Sequence, residues 1–268
     1  MILQSLGDQM TQREYYYKIA SELNENNFFE ISNKYSLSQS ELLGVIELSL
    51  SRFDSKTKRK KLERLLHRYQ YIKSFPYRKY LLLSDTHYGN VSQNVSYVTM
   101  AYEFGMDQGV DMALHLGDVF EGCSGKTYLI RERKLEKIQK SCNEQLEMLV
   151  NYPTNIPTVI LLGNHDISFF QIGIDVAKEL EQRYHFSVIG YGGAYIKCHY
   201  RKIYLEHFIK YVPYINDHFL YDLKLRGHSH CFRYSKNSNS FTIASLSDIH
   251  ENKNCKEPSF PGFAILTI

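Results

Sequence analysis

Three stretches of this chain are apolar without alternation: Tyr80-Leu81-Leu82-Leu83, Met112-Ala113-Leu114-His115-Leu116 and Thr158-Val159-Ile160-Leu161-Leu162. A strand with one wet face alternates apolar and polar side chains, so runs this continuous describe strands covered on both faces. Each run ends in a short polar cluster: Asp85-Thr86-His87, Gly117-Asp118 and Gly163-Asn164-His165-Asp166. A fourth cluster, Gly227-His228-Ser229-His230, follows further along. Carboxylate, amide and imidazole groups bind hard-to-borderline divalent cations. At the ends of central strands they form a chemical site rather than a requirement of folding, and the chain reads as an enzyme.

The pattern around these runs predicts strands at 79–84, 112–116, 157–162, 186–190, 194–198, 202–206, 223–227, 240–245 and 263–267. Helices are expected at about 93–108, 127–150 and 168–184. In the second of these, Leu135, Ile138, Cys142, Leu146 and Leu149 form one apolar stripe suited to core packing. Helix alternating with strand early, and strands late, imply an α/β sandwich of four layers, α/β/β/α. Before Pro76 the pattern is helical, with Tyr15, Tyr16, Ile19 and Leu23 at helical spacing and Leu42, Val45, Ile46 and Leu50 on a later helix. A strongly basic helix is expected at about 56–73, ended by Ser74-Phe75-Pro76. The expected division is a helical domain at 1–76 and a catalytic domain at 77–268.

Charge supports two unlike parts. Residues 1–80 carry 14 Lys and Arg against 9 Asp and Glu, and residues 81–268 carry 18 against 20. No run approaches the roughly 18 apolar residues of a membrane span, and the first residues lack a basic segment followed by an apolar one, so no signal peptide is expected. The five cysteines, Cys123, Cys142, Cys198, Cys231 and Cys255, include no CxxC pair. Reduced thiols and a cytoplasmic location are the expectation.

Taken together and in this order, the clusters resemble the calcineurin-like metallophosphoesterase superfamily, whose signature is DxH, GDxxE, GNH(D/E), a lone His and GHxH. The chain reads Asp85-Thr86-His87, Gly117-Asp118-Val119-Phe120-Glu121, Gly163-Asn164-His165-Asp166, His207 and Gly227-His228-Ser229-His230. The resemblance covers about residues 79–268 and implies two divalent cations, Mn²⁺, Fe or Zn²⁺, sharing Asp118. Asp85, His87, Asp118 and His230 would hold the first, and Asp118, Asn164, His207 and His228 the second. Two cations about 3.5–4 Å apart can bind a phosphate ester and lower the pKa of a shared water to make hydroxide. His165 would be the general acid, oriented by Asp166 or by Asp118. Glu121 reads as supporting structure. His199 and His218 are the competing candidates for the lone histidine, while His185 and His250 read as structural or surface residues.

Phosphoprotein phosphatases of this superfamily carry an Arg that clamps phosphate, within GDxVDRG. Here Gly117-Asp118-Val119-Phe120-Glu121-Gly122 has none. The resemblance therefore points to a phosphodiesterase acting on a small or nucleotide-like ester. Residues 30–42 also resemble a helix-turn-helix, although the helix that would enter a DNA groove offers Gln39, Ser40, Glu41 and Glu47 without Lys or Arg. The positive charge lies at Arg52, Lys56, Lys58, Arg59, Lys60, Lys61, Arg64 and Arg68. The alternatives are a nuclease that engages nucleic acid through 52–68, and a non-catalytic scaffold built on the same fold.

Overall fold

The computed structural model describes residues 12–24, 27–37, 42, 45–46, 49, 53, 55–69, 73–122, 141–184, 186–207, 221–247 and 260–268. Among these, two sheets face each other. Five strands, β2 (Lys79–Leu83), β3 (Met112–His115), β4 (Thr158–Leu162), β5 (Ser187–Tyr191) and β11 (Ala264–Thr267), form one sheet in the order β11-β2-β3-β4-β5. The pairs β2–β3, β3–β4 and β4–β5 are parallel and β11 closes the edge antiparallel. The second sheet comprises β1 (Lys73–Phe75), β6 (Gly193–Cys198), β7 (Arg201–Glu206), β8 (Leu223–Arg226), β9 (Arg233–Ser235) and β10 (Ser240–Thr242), in the order β1-β6-β7-β8-β10-β9.

The continuous apolar runs do what burial on two faces demands. Tyr80, Leu82, Leu114, Val159 and Leu161 point between the sheets, meeting Ala194, Ile196, Ile203, Leu205, Leu225 and Ile243. Their neighbours Leu81, Leu83, Ala113, Ile160 and Leu162 join a second apolar cluster with helical residues such as Val98, Ala101, Leu146, Val176 and Leu180. Those helices are α4 (Val95–Asp107), α5 (Cys142–Glu147) and α6 (Val176–Tyr184). The chain is therefore α/β with two sheets and helices. The fourth, helical layer is not among the described elements.

Some expected boundaries move. The helix expected at 168–184 is a 3-10 helix, Asp166–Ile172, followed by α6, because Gly173 (φ 83°) turns the chain left-handed between them. Of the helix expected at 127–150, residues 127–140 lie outside the described residues; the rest is α5 and a 3-10 turn, Met148–Asn151. Strands β1 and β9 were not anticipated: each is three residues long, and their pairing partners define them rather than any apolar pattern.

Before β1 lie α1 (Gln12–Glu22), α2 (Phe28–Lys34) and α3 (Lys56–Tyr69). Ile19, Leu23, Ile31, Leu42, Val45, Ile46, Leu62 and Leu65 are buried in the same apolar cluster that contains Phe169 and Phe170 of the 3-10 helix. The Tyr16 hydroxyl donates to the Phe170 carbonyl at 3.0 Å. Part of the basic segment is committed internally: Lys58 Nζ donates to the Ser21 carbonyl at 2.7 Å and to that of Leu23, closing the end of α1. Arg59 donates to the Phe53 carbonyl at 2.6 Å. The expectation of reduced thiols holds for the buried Cys198, whereas Cys142 and Cys231 are disulfide-bonded. Disulfides follow three-dimensional proximity, which spacing does not report, and their presence removes the cysteine argument for a cytoplasmic location. No helix among the described residues is long and apolar enough to cross a membrane.

Candidate metal centre

The β2–β3 pairing does not stop where the strands stop. Asp85 N donates to Gly117 O at 2.9 Å, His87 N to Asp118 O at 3.1 Å, Tyr88 N to Val119 O at 2.8 Å and Glu121 N to Tyr88 O at 2.9 Å. The two polar loops thus run side by side, which brings Asp85, His87 and Asp118 together. Asp85, His87, Asp118, His228 and His230 have φ of 54°, 47°, 53°, 69° and 57°. Such left-handed backbone costs of order 1–3 kcal/mol per non-glycine residue and gathers at functional sites. Asp and His tolerate it better than most side chains.

One group comprises Asp85, His87 and His230, whose ligand atoms lie within 4.8 Å of one another. Asp85 Oδ1 is 3.1 Å from His230 Nε2 and 3.8 Å from His87 Nε2, and the two imidazole Nε2 atoms are 3.3 Å apart. The other carboxylate oxygen of Asp85 accepts from Ser84 Oγ at 2.5 Å and from the His228 backbone N–H at 2.9 Å. Burial opposes ionisation of Asp85, yet the neighbouring His230 holds its carboxyl below the usual range. His87 is turned by Glu121, whose Oε2 lies 3.0 Å from His87 Nδ1. That leaves Nε2 of His87 aimed at the group, the arrangement of a metal-ligating imidazole anchored by a carboxylate.

A second group comprises Asp118, His207 and His228. His207 is fully buried, its Nδ1 donates to the Leu116 carbonyl at 2.6 Å, and its Nε2 stands 3.0 Å from Asp118 Oδ2. Burial would lower the His207 pKa, but the Asp118 carboxylate outweighs it and raises it to about 10. Reciprocally, burial is overcome at Asp118, which is held well below the usual carboxylate range chiefly by His207. His228 is pushed down to about 4 by burial and then by His207. Room for this packing comes from missing side chains. A Cβ on Gly117 or Gly163 would strike His207 Nδ1 or Asp118 Oδ1, and one on Gly227 would strike Ser84 Oγ.

The structure brings together Asp85, His87, Asp118, His207, His228 and His230 from the anticipated set. Of the competing histidines, His199 sits at the β6–β7 turn and His218 lies outside the described residues. Asn164 is exposed and lies between Gly163, packed on Asp118, and His165, whose backbone N–H donates to Asp118 Oδ1 at 2.8 Å. The His165 ring joins His87 and Asp118 in a third group, and its Nδ1 donates to the Glu121 carbonyl at 2.6 Å. Asp118 and Glu121 raise the His165 pKa against the effect of burial. The Asp166 carboxylate instead accepts the backbone N–H groups of Gly163 and Phe120 at 2.8 and 2.9 Å, closing the turn beneath His165. Burial and Asp118 raise its pKa to about 7.

Two supporting residues escaped sequence reasoning. His115 receives the Gly117 N–H on Nδ1 at 3.3 Å and donates from Nε2 to Thr86 Oγ1 at 3.1 Å, and that hydroxyl donates to Val119 O at 3.0 Å. Burial pushes the His115 pKa down to about 3, so it stays a neutral strut between the two loops. Gln145 grips Gly122 from α5. The only signal for either was a polar residue placed in or beside an apolar run.

Buried Asp85 Oδ1 and His207 Nε2 have no hydrogen-bond partner, although each faces an opposite group at 3.0–3.1 Å. Clustered imidazole nitrogens and carboxylate oxygens aimed at one another in this way can be satisfied by cations between them. A profile of the calcineurin-like phosphoesterase family matches residues 78–229, more than half of the chain. The chain belongs to that family. It is a metal-dependent hydrolase of ester bonds. No curated protein matches it in sequence. Among solved structures, the phosphoesterase Yfce from E. coli is similar with a TM-score of 0.41 and 16% identity, over 70% of this chain and 87% of that one. An archaeal phosphodiesterase gives 0.41 and 14% over 71% and 99%. Vacuolar protein sorting 29 from Cryptosporidium parvum gives 0.42 and 17% over 72% and 86%. Likenesses at this level carry no argument about activity.

Proposed function

We propose that this calcineurin-like phosphoesterase is a dinuclear phosphodiesterase acting on a small or nucleotide-like ester. The observation that carries the reading is Asp118, common to a group with His87 and His165 and a group with His207 and His228. Asp85, His87, Asp118 and His230 would hold one cation, and Asp118, Asn164, His207 and His228 the other, with Mn²⁺, Fe or Zn²⁺ suited to these donors. When bound, the cations polarise the phosphoryl group and acidify water.

The protein's own groups do the rest. The Glu121 carboxylate stands 3.0 Å from Nδ1 of His87 and the Leu116 carbonyl accepts from Nδ1 of His207, so that each presents Nε2. His165 keeps Nδ1–H on the Glu121 carbonyl and gives its Nε2 proton to the leaving oxygen. Asp166 holds the turn that carries His165. Where protein phosphatases have a phosphate-clamping Arg, this chain has Gly122, which favours a diester with one charge fewer to neutralise.

The test is hydrolysis of bis(4-nitrophenyl) phosphate with added Mn²⁺. On methyl phenyl phosphate, a diester with a poorer leaving group, His165→Ala lowers kcat by about 10²–10⁴-fold, the usual worth of a general acid or base, with metal content retained. Activity of the unaltered protein that survives complete metal stripping overturns the reading. Nucleic acid is the second candidate substrate, favoured by Lys56, Lys60 and Lys61 standing exposed together on α3. A full-length variant with these three changed to Glu then loses DNA affinity while cleaving the aryl diester normally. Equal affinity of both proteins removes that substrate.

A further inference from the structure

Gln145 lies on α5, far in sequence from every motif, and is fully buried. Its carboxamide makes two hydrogen bonds to one residue: Oε1 accepts the Gly122 N–H at 3.0 Å, and Nε2 donates to the Gly122 carbonyl at 3.0 Å. The partners settle which end is oxygen, because an N–H requires an acceptor and a carbonyl a donor. The Gly122 N–H belongs to the same peptide unit as the Glu121 carbonyl. That carbonyl receives Nδ1–H of His165 at 2.6 Å. A trans peptide directs its N–H and C=O to opposite sides, so Gln145 grips one side of the plane and His165 leans on the other.

We infer that Gln145 is a positioning residue for His165, acting through the Glu121–Gly122 peptide. The inference rests on the general-acid reading of His165 given above. Several features make the Gln145 grip rigid. A capping box starts α5: Ser141 N donates to Glu144 Oε2 at 2.7 Å and Glu144 N to Ser141 Oγ at 3.4 Å. The Gln145 stem packs where a Cβ on Gly89 would strike its Cγ, so the backbone after His87 walls it in. Gly122 itself (φ 90°) has no space for a side chain, since a Cβ would strike the His165 carbonyl. Aligned hydrogen bonds polarise one another through the shared amide, and the carbonyl holds the proton on Nδ1. Nε2 is left as the atom that surrenders its proton. As the P–O bond breaks, its electron pair stays on the leaving oxygen, and that oxygen takes the Nε2 proton.

A proton donor matters most when the leaving group is poor. The experiment therefore compares kcat on methyl 4-nitrophenyl phosphate and methyl phenyl phosphate, using full-length Mn²⁺-loaded protein with metal content and thermal unfolding measured in parallel. In Gln145→Met, which keeps the length and loses the two hydrogen bonds to Gly122, the phenyl-to-nitrophenyl rate ratio falls at least tenfold. Gln145→Glu keeps an acceptor for the Gly122 N–H and recovers most of that ratio. Gln145→Asn, whose shorter side chain withdraws the amide, repeats the Met result and serves if the Met variant does not fold. Equal proportional loss on both esters in the Met or Asn variant reduces Gln145 to structural support and overturns the inference. His165→Ala separates the two ideas. If it lowers both esters equally, the general-acid reading has failed; if its loss is confined to the poor leaving group while the Gln145 variants show none, only the positioning role has.

Discussion

Replacing Glu121 with Gln removes one charge from the site and leaves its shape. The Glu121 carboxylate is 7% exposed and lies 3.0 Å from His87 Nδ1, and His87 keeps it below the usual carboxylate range despite burial. A contact with a buried charge is worth at most about the 1.5–3 kcal/mol of a hydrogen bond to a charged group. Burial leaves little solvent to screen this one. At about 1.4 kcal/mol per factor of ten, losing it weakens cation binding at the Asp85 group by about 10–100-fold, which matches the usual effect of removing a carboxylate behind a ligating imidazole. The Asp118–His207–His228 group has its own anchor in the Leu116 carbonyl and should change by less than about threefold, within ordinary scatter for an indirect contact. Calorimetric titration of metal-free protein with Mn²⁺ separates the two steps, and kcat at saturating metal recovers most of its value. Equal weakening of both steps, or of neither, refutes the view that Glu121 acts by orienting His87.

Gly163→Ala places a Cβ against Asp118 Oδ1, 2.5 Å from Asp118 N and 2.8 Å from His207 Cδ2. Because backbone cannot rotate away, chemical denaturation should show a loss of about 1–3 kcal/mol, together with lost Mn²⁺ binding; a variant of full stability and metal content contradicts the packing described. His115, with its pKa pushed down to about 3, is neutral in the folded protein and takes a proton when unfolded below its ordinary value of 6.5. The unfolded state then binds more protons between those values, so stability contributed by this residue is present above pH 6.5 and is lost as pH falls. Denaturation of metal-free protein between pH 4 and 7 should therefore show a slope for the unaltered protein that exceeds that of His115→Phe by up to about 1.4 kcal/mol per pH unit. Finally, cations that bind only the folded chain stabilise it by mass action, about 2.7 kcal/mol at a hundred times Kd. A thermal unfolding midpoint indifferent to Mn²⁺ would mean that the clusters hold no metal.

Strands β2, β3 and β4 could be read directly because burial on both faces leaves an unbroken apolar run, and the clusters after them could be read because their residue types serve no packing purpose. His207 was harder. It resembles His199 as a histidine at the end of a strand, and only the β6–β7 antiparallel pairing decides that Arg201 is at the turn and Glu206 beside the site. The helix expected at 168–184 failed at Gly173, a residue whose left-handed conformation depends on the turn that follows the 3-10 helix. Glu121 was recognised as supporting structure without its partner, because nothing in a one-dimensional spacing tells which imidazole it will face.

The chain's covalent order determined which side chains arrive at the ends of the buried strands, since hydrophobic periodicity and strand geometry act locally. Tertiary structure decided how they are aimed: the left-handed loops, the glycines that let backbone approach carboxylate, and the amide of Gln145 arriving from a distant helix. Those choices depend on close packing between segments remote in sequence, where a single Cβ is enough to exclude the arrangement.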